Sequence, residues 1–282
     1  MKPAPFAYER PETIEEALAV LAVHGDEAKV LAGGQSLVPM LNMRLLRPSV
    51  VVDVNRVPGL DGLRADNGEI RVGALVRQAA FGGSRLVRER LPLAASCVPY
   101  VGHFVTRNRG TVGGSIAHAD VSAELPLALL VQGGSAVVAS TRGRREIPAE
   151  ELFLTHFTTA LAPDELLVET VWPASEPETR TAWVELAQRR GDYALAMVAC
   201  TLRVEGGLVA EARIGLGSVV DRPSLVPEAA EALVRRGVDA APEAAVLAAR
   251  SVEPYDNLHA SARYQRHLVR VLVERAVRQA WA

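Results

Sequence analysis

Cysteine is scarce in this 282-residue chain: Cys97 and Cys200 are the only two, far apart and each in an apolar stretch. Neither an iron–sulfur cluster nor a zinc site can be assembled from them, so any metal chemistry tied to this chain belongs to a partner. An excess of one charge is also missing. Lysine and arginine number 31 against 33 aspartates and glutamates, a formal net charge of −2, and the arginines are scattered. That balance gives no electrostatic reason to expect nucleic acid. No apolar run approaches the roughly 20 residues that a bilayer-spanning helix requires. Met1 to Arg10 carries two prolines and a glutamate where a signal segment would be basic and then apolar, so the expected location is cytoplasmic. Neither GxGxxG nor a P-loop spacing occurs, which removes the usual Rossmann and P-loop readings.

What is there suits a globular protein of two domains: 49% of residues are apolar and 23% charged. Thr13 and Glu16 have capping-box spacing ahead of an apolar stripe of Ile14, Ala17, Leu18, Leu21 and Ala22, and Gly25 ends that helix. Lys29, Val30 and Leu31 read as a buried strand that opens into Ala32, Gly33, Gly34, Gln35 and Ser36 before a short helix. Further strands are expected at Val50 to Val54 and Glu69 to Val72. Pro92 to Phe104 reads as mostly helical, ending at the basic knot Arg107, Asn108, Arg109 and Gly110. A second glycine loop, Thr111 to Asp120, leads into a helix over Leu125 to Val131. Strands at Ser135 to Ser140 and Leu166 to Trp172 flank a loop containing Leu161 and Pro163. Pro173 to Thr179 is composed like a linker and marks the expected domain boundary. Beyond it, Ala182 to Leu186 and Ala194 to Val204 are strand or helix; periodicity leaves that open. Val209 to Leu216 reads as a hairpin partner of Ala199 to Val204, Gly215 to Gly217 as its end, and the tail after Pro227 as helical.

The chemistry of the two glycine loops comes from absent side chains. Paired glycines let backbone N–H groups approach an anion, and successive amides form a nest for phosphate oxygens. Hydroxyls of Ser36, Thr111 and Ser115 could cap phosphate or ribityl oxygens, and two such loops suit the two halves of a dinucleotide. Most Gly-Gly pairs, however, are simply turns.

The strings LAGGQSLVPMLNMRLLRP (Leu31 to Pro48) and RGTVGGSIAHADVSAELP (Arg109 to Pro126) closely resemble the two FAD-binding signatures of the carbon monoxide dehydrogenase medium subunit family, within the xanthine dehydrogenase group of molybdenum hydroxylases. RRGDYA, Arg189 to Ala194, resembles the family's third marker, and the resemblance runs nearly end to end. It implies an α+β protein: a two-lobed FAD-binding domain of the vanillyl-alcohol-oxidase (PCMH) type over 1–176, with lobes of about 1–57 and 58–176, and a C-terminal α+β domain over 177–282. It further implies an FAD electron-transfer subunit beside a large molybdopterin subunit and a small subunit with two [2Fe-2S] clusters, in a dimer of heterotrimers.

By the same resemblance, Ala32, Gly33, Gly34, Gln35 and Ser36 wrap the pyrophosphate. Lys29, Val30, Leu31 and Leu37 line the adenosine and ribityl portions, and Thr111, Gly114 and Ser115 form the facing clamp. Asp120 falls where the family has a cofactor-contacting acid, and Leu161 and Tyr193 where residues lie against the isoalloxazine. Where relatives often carry lysine before the double arginine, this chain has Glu185. Plainer readings stand beside these: Tyr193 as a half-buried aromatic with its hydroxyl in water, His118 and Asp120 as ordinary loop residues, Arg107 and Arg109 as a solvated turn or a subunit contact. A free-standing flavin oxidoreductase and a flavin-free scaffold are the competing functions.

Overall fold

A computed structural model describes all 282 residues. The chain opens with β1 (Ala7–Glu9), α1 (Ile14–His24), β2 (Ala28–Leu31), α2 (Leu37–Asn42) and β3 (Val50–Asp53). Thr13 caps α1, accepting from the Glu16 amide at 3.1 Å, while the Glu16 carboxylate accepts from the Glu12 amide at 2.8 Å. Gly25, at φ +48°, ends the helix. The three strands form a parallel sheet in the order β1-β3-β2. Central β3 is buried along Val50, Val51 and Val52, whereas β2 is an edge strand; Lys29, Val30 and Leu31 are therefore half-buried, less than the sequence suggested.

The middle of the chain holds β4 (Leu63–Asp66) and β5 (Glu69–Gly73), then helices α3 (Gln78–Gly83), α4 (Arg85–Arg90), α5 (Pro92–Cys97), α6 (Phe104–Arg109), α7 (Val112–His118) and α8 (Glu124–Gln132). It continues through β6 (Ser135–Ser140), β7 (Gly143–Pro148), α9 (Ala149–Leu152), the small hairpin β8 (Phe153–Thr155) and β9 (Thr158–Thr159), and β10 (Leu166–Pro173). Here β4, β5, β10, β6 and β7 build a five-stranded antiparallel sheet. Two expectations are corrected. The helix expected over Pro92 to Phe104 is broken, because Pro99 sits in a 3₁₀ turn and Gly102 adopts φ +44°; Phe104 starts a new helix that carries the basic knot. The second glycine loop is itself a helix: Thr111 caps α7, and Gly113 and Gly114 lie in its first turn.

The last part comprises β11 (Thr179–Ala187), β12 (Ala194–Glu205), β13 (Leu208–Gly217), β14 (Ser224–Leu225), α10 (Pro227–Arg236), α11 (Ala241–Arg250) and α12 (Ala262–Trp281). The four strands form an antiparallel meander in chain order. Alternation along β11 and β12 sends Ala182, Val184, Ala196, Val198 and Cys200 into a core with α10 to α12. Trp183, Met197 and Ala199 point the other way, into the core of the middle region. Both faces are thus covered, which explains why neither segment shows the clean alternation that would have marked it a strand. Gly215 ends against Val131 and Leu127 of α8: a Cβ there would come within 2.3 Å of the valine. No helix is long and apolar enough to cross a membrane.

Candidate functional site

The first glycine loop sits directly on the entrance to α7. A Cβ on Gly33 would stand 2.6 Å from the Arg109 carbonyl oxygen, 2.8 Å from Gly110 Cα and 3.1 Å from the Thr111 nitrogen. Only glycine lets the two segments touch. One residue earlier Ala32 faces Gly114, whose own Cβ would lie 3.7 Å from that of Ala32 and 2.6 Å from Thr111 Oγ1. Gly34 turns the loop through φ +72° over Leu31 and Val38.

The backbone hydrogen bonds show what this seam offers. The amides of Gly33, Gly34, Gln35 and Ser36 donate to no protein acceptor, and neither does that of Thr111. The carbonyls of the same loop are occupied instead: Asn55 Nδ2 donates to Ala32 O at 2.8 Å, and Gln35 Nε2 to Gly33 O at 3.2 Å. Carbonyls turned inward and consecutive amides turned free make a nest for an anion. The start of α7 differs. Val112 N donates to Val76 O, Gly113 N to Ala74 O, Gly114 N to Thr111 Oγ1 and Ser115 N to Thr111 O, so its first-turn amides are spent. What α7 can present is hydroxyl chemistry from Ser115, and the Thr111 hydroxyl proton. Gly113 serves packing alone, since a Cβ there would strike Ala74 Cα at 2.6 Å.

Residues that the sequence did not single out tie the seam together. Tyr8 donates to Asp53 at 2.5 Å, Asp53 accepts from Asn55 Nδ2 at 2.7 Å, and Asn55 Oδ1 accepts from Arg77 at 2.7 Å. Arg77 also donates to the Arg109 carbonyl at 2.5 Å, which closes a path from the first sheet to the second loop. Burial, and then the neighbouring Arg109 charge, hold the Arg77 guanidinium below its ordinary pKa. Asp53 is pushed up by burial, but bonds from Tyr8 and Asn55 outweigh that and leave its carboxyl below the usual value. The Arg77 guanidinium, anchored on Asn55 and the Arg109 carbonyl, brings positive charge to the seam and favours an anion there. Arg107 belongs elsewhere, donating to the Val101 and Gly102 carbonyls as a loop brace.

At the far end of α7 a second group gathers, roughly 10 Å along the helix by its rise per residue. Ala119 adopts φ +51° and delivers buried Asp120, whose carboxylate accepts from Ser122 N at 2.9 Å and lies 3.5 Å from His156 Nε2. Phe157, also at positive φ, donates its amide to Ala119 O at 3.0 Å, stacks on His156 and meets the His118 ring at a tilt. Tyr193 is 68% exposed, more than half-buried would imply. Burial, followed by the charges of Asp120 and Glu124, raises its pKa above the ordinary phenol. The Gly191 turn that carries it rests on His103, leaving no room for a side chain. Leu161 is half-buried against the central core. No group of three or more His, Cys, Asp and Glu side chains is placed to hold a metal ion.

An α+β fold with an amide nest at the meeting of two glycine segments suits a protein that binds a phosphate-bearing ligand, and comparison with known families makes the class specific. Residues 4–175 match the family model described as the FAD binding domain in molybdopterin dehydrogenase, and residues 181–280 that of the CO dehydrogenase flavoprotein C-terminal domain. The 6-hydroxypseudooxynicotine dehydrogenase complex subunit alpha of Paenarthrobacter nicotinovorans is 40% identical, over 99% of this chain and 96% of its own length. The nicotine 6-hydroxylase medium subunit of the same organism is 39% identical, over 100% of this chain and 99% of its own. A solved carbon monoxide dehydrogenase from Hydrogenophaga pseudoflava, which lacks the Mo-pyranopterin moiety of its cofactor, superimposes with a TM-score of 0.97 at 35% identity, covering 100% of this chain and 99% of that one. The chain therefore belongs to the FAD-binding medium subunits of the carbon monoxide and xanthine dehydrogenase family. FAD is its cofactor, its fold is consistent with the PCMH type, and its class is the oxidoreductase component of a molybdenum hydroxylase.

Proposed function

We propose that this chain carries electrons from the [2Fe-2S] clusters of a small partner subunit to an external acceptor, while a large molybdopterin subunit oxidises the primary substrate. The observation that carries the reading is the row of unpaired amides from Gly33 to Ser36 against Gly110 and Thr111. In it the FAD pyrophosphate lies on Ala32, Gly33, Gly34, Gln35 and Ser36. Thr111 and Ser115 hydroxyls hold it from the other side, and Gly114 gives room. Lys29, Val30, Leu31 and Leu37 flank the adenosine and ribityl portions. Asp120, Leu161 and Tyr193 surround the isoalloxazine.

When held by these residues, FAD would supply both one- and two-electron redox chemistry, which suits a link between one-electron clusters and a two-electron acceptor. The chain supplies position and charge. The nest and the Arg77 guanidinium neutralise the diphosphate, and α7 sets the distance between nest and Asp120. Tyr193, more than half exposed, screens the ring face. The reading includes division into an FAD-binding domain, 1–176 with lobes 1–57 and 58–176, and a C-terminal domain, 177–282. It also includes a dimer of heterotrimers and a cytoplasmic location, where two buried, unpaired cysteines stay reduced.

The test is anaerobic reduction of the purified three-subunit complex by its primary substrate, followed in the visible spectrum. Bleaching of the clusters and then of the flavin is the expected sequence. A yellow chain that reacts directly with a small molecule, with no partner needed, would favour the free-standing oxidoreductase; a colourless complex would leave the scaffold.

A further inference from the structure

The end of α7 and the turn between β8 and β9 are joined at two residues whose backbones stand in the left-handed region. Ala119 closes α7 at φ +51°, and Phe157 lies at φ +58° in the two-residue turn between Thr155 and Thr158. Turns that need positive φ ordinarily place glycine or asparagine there, so a phenylalanine is held against its backbone preference. Its amide donates to Ala119 O at 3.0 Å, and its ring stacks on His156 with 3.8 Å between centroids. Backbone strain of this kind clusters at sites where a side chain has to be aimed.

The side chain aimed here is the His156 imidazole. Its Nε2 lies 3.5 Å from Asp120 Oδ1, the oxygen that also accepts from Ser122 N at 2.9 Å. Asp120 is only 7% exposed, and its other oxygen, Oδ2, accepts from no protein donor although it is not sealed from solvent. Such a carboxylate has one oxygen fixed and one left for an incoming N–H or O–H. The other titratable groups that feel the Asp120 charge are His118 on α7, Glu124 at the start of α8 and the Tyr193 phenol. On α9, which packs on β8, stand Glu151 and Glu150, the latter paired with Arg213, and Arg222 donates to Phe153 O.

Resting on the functional reading above, we infer that His156 is a positioning residue for the cofactor: paired with Asp120 Oδ1, it holds that carboxylate so that Oδ2 meets an N–H or O–H donor of the flavin. His156 acts through Asp120, and Phe157 fixes the plane of its ring. The pairing is ionic only while the imidazole carries its proton, and histidine ordinarily gives up that charge at about pH 6.5. Flavin affinity therefore gains from the pair in mild acid and loses that gain as pH rises through neutrality.

The test is FAD affinity against pH, by titration of the deflavinated complex. Wild type should bind about two- to fivefold more tightly than His156→Gln at about pH 5.5, what a half-exposed ion pair is worth, and equally at about pH 8. Introduced on top of Asp120→Asn, the same His156 substitution should change nothing at either pH, because the partner charge is gone. His118→Gln is the control. No ion-pair contact joins His118 to Asp120, and burial makes it lose its charge at lower pH than an ordinary histidine, so the pH step should persist in that variant. A pH step that survives His156→Gln, or a His156→Gln effect undiminished on Asp120→Asn, would overturn the inference while FAD binding itself left the functional reading standing. A complex that takes up no FAD at any pH would overturn both.

Discussion

Replacing Gly33 by alanine puts the seam under a calculable strain. The added Cβ would sit 2.6 Å from Arg109 O and 2.8 Å from Gly110 Cα, against an ordinary contact of at least 3.4 Å. The loops must part by roughly 0.6 to 0.8 Å, the shortfall between those contacts, and both opposing atoms are backbone. Neither can swing aside, because Arg77 pins the Arg109 carbonyl at 2.5 Å. Overpacking of this kind costs about 1 to 3 kcal/mol, or about 5- to 150-fold in Kd if it falls on the bound state. Titrating FAD into deflavinated Gly33→Ala protein, with ligand-dependent melting alongside, measures it. Gly83→Ala is the control: a Cβ there meets nothing within 4 Å, so affinity should stay that of the wild type. If Gly33→Ala bound FAD within twofold of wild type, the nest would not be where the diphosphate lies.

Other consequences are as specific. Asn55→Ala removes the clamp on the Leu31 and Ala32 carbonyls and the link to Arg77, and should weaken FAD by about tenfold, as one to two exposed hydrogen bonds suggest, with little change in melting temperature. Thr111→Ala deletes the α7 cap to Gly114 N and should cost about 1 kcal/mol in denaturant unfolding; equal stability of the two proteins would contradict the cap's role. Glu124 is raised in the fold from 4.5 to about 8, so the native state retains a proton that the unfolded chain has already lost within that window. Its contribution is fully present below about pH 4.5 and is lost as pH rises to about 8. Glu124→Gln should therefore gain on wild type by roughly 1 kcal/mol per pH unit across that range and then level off. A difference independent of pH would refute the assignment.

Much of this architecture was legible in the sequence where a local rule decided the outcome. Thr13 and Glu16 announced a cap, Gly25 a stop, and the Gly206–Gly207 turn a hairpin, because each depends on neighbours within a few residues. The nest was legible as a glycine pair, but its partner was misread: Gly113 and Gly114 argue against a helix by propensity. The Thr111 cap and packing on Ala74 override them. Nothing local could reveal Asn55, Arg77 and Tyr8, ordinary polar residues separated by tens of positions and joined only by the crossing of two sheets. Glu185 stood out only as a departure from the family pattern. Its place beside Trp183 on β11 needed the strand to be known as a strand, and burial on both faces had erased that signal.

The central claim is that FAD lies across the seam of the two glycine segments, and a structure of the protein with FAD bound tests it most directly. The account predicts diphosphate oxygens within hydrogen-bond reach of the Gly33 to Ser36 amides and of the Thr111 and Ser115 hydroxyls, with the ring beside Asp120 and Tyr193. Flavin density elsewhere, with those amides still unpaired, would contradict it.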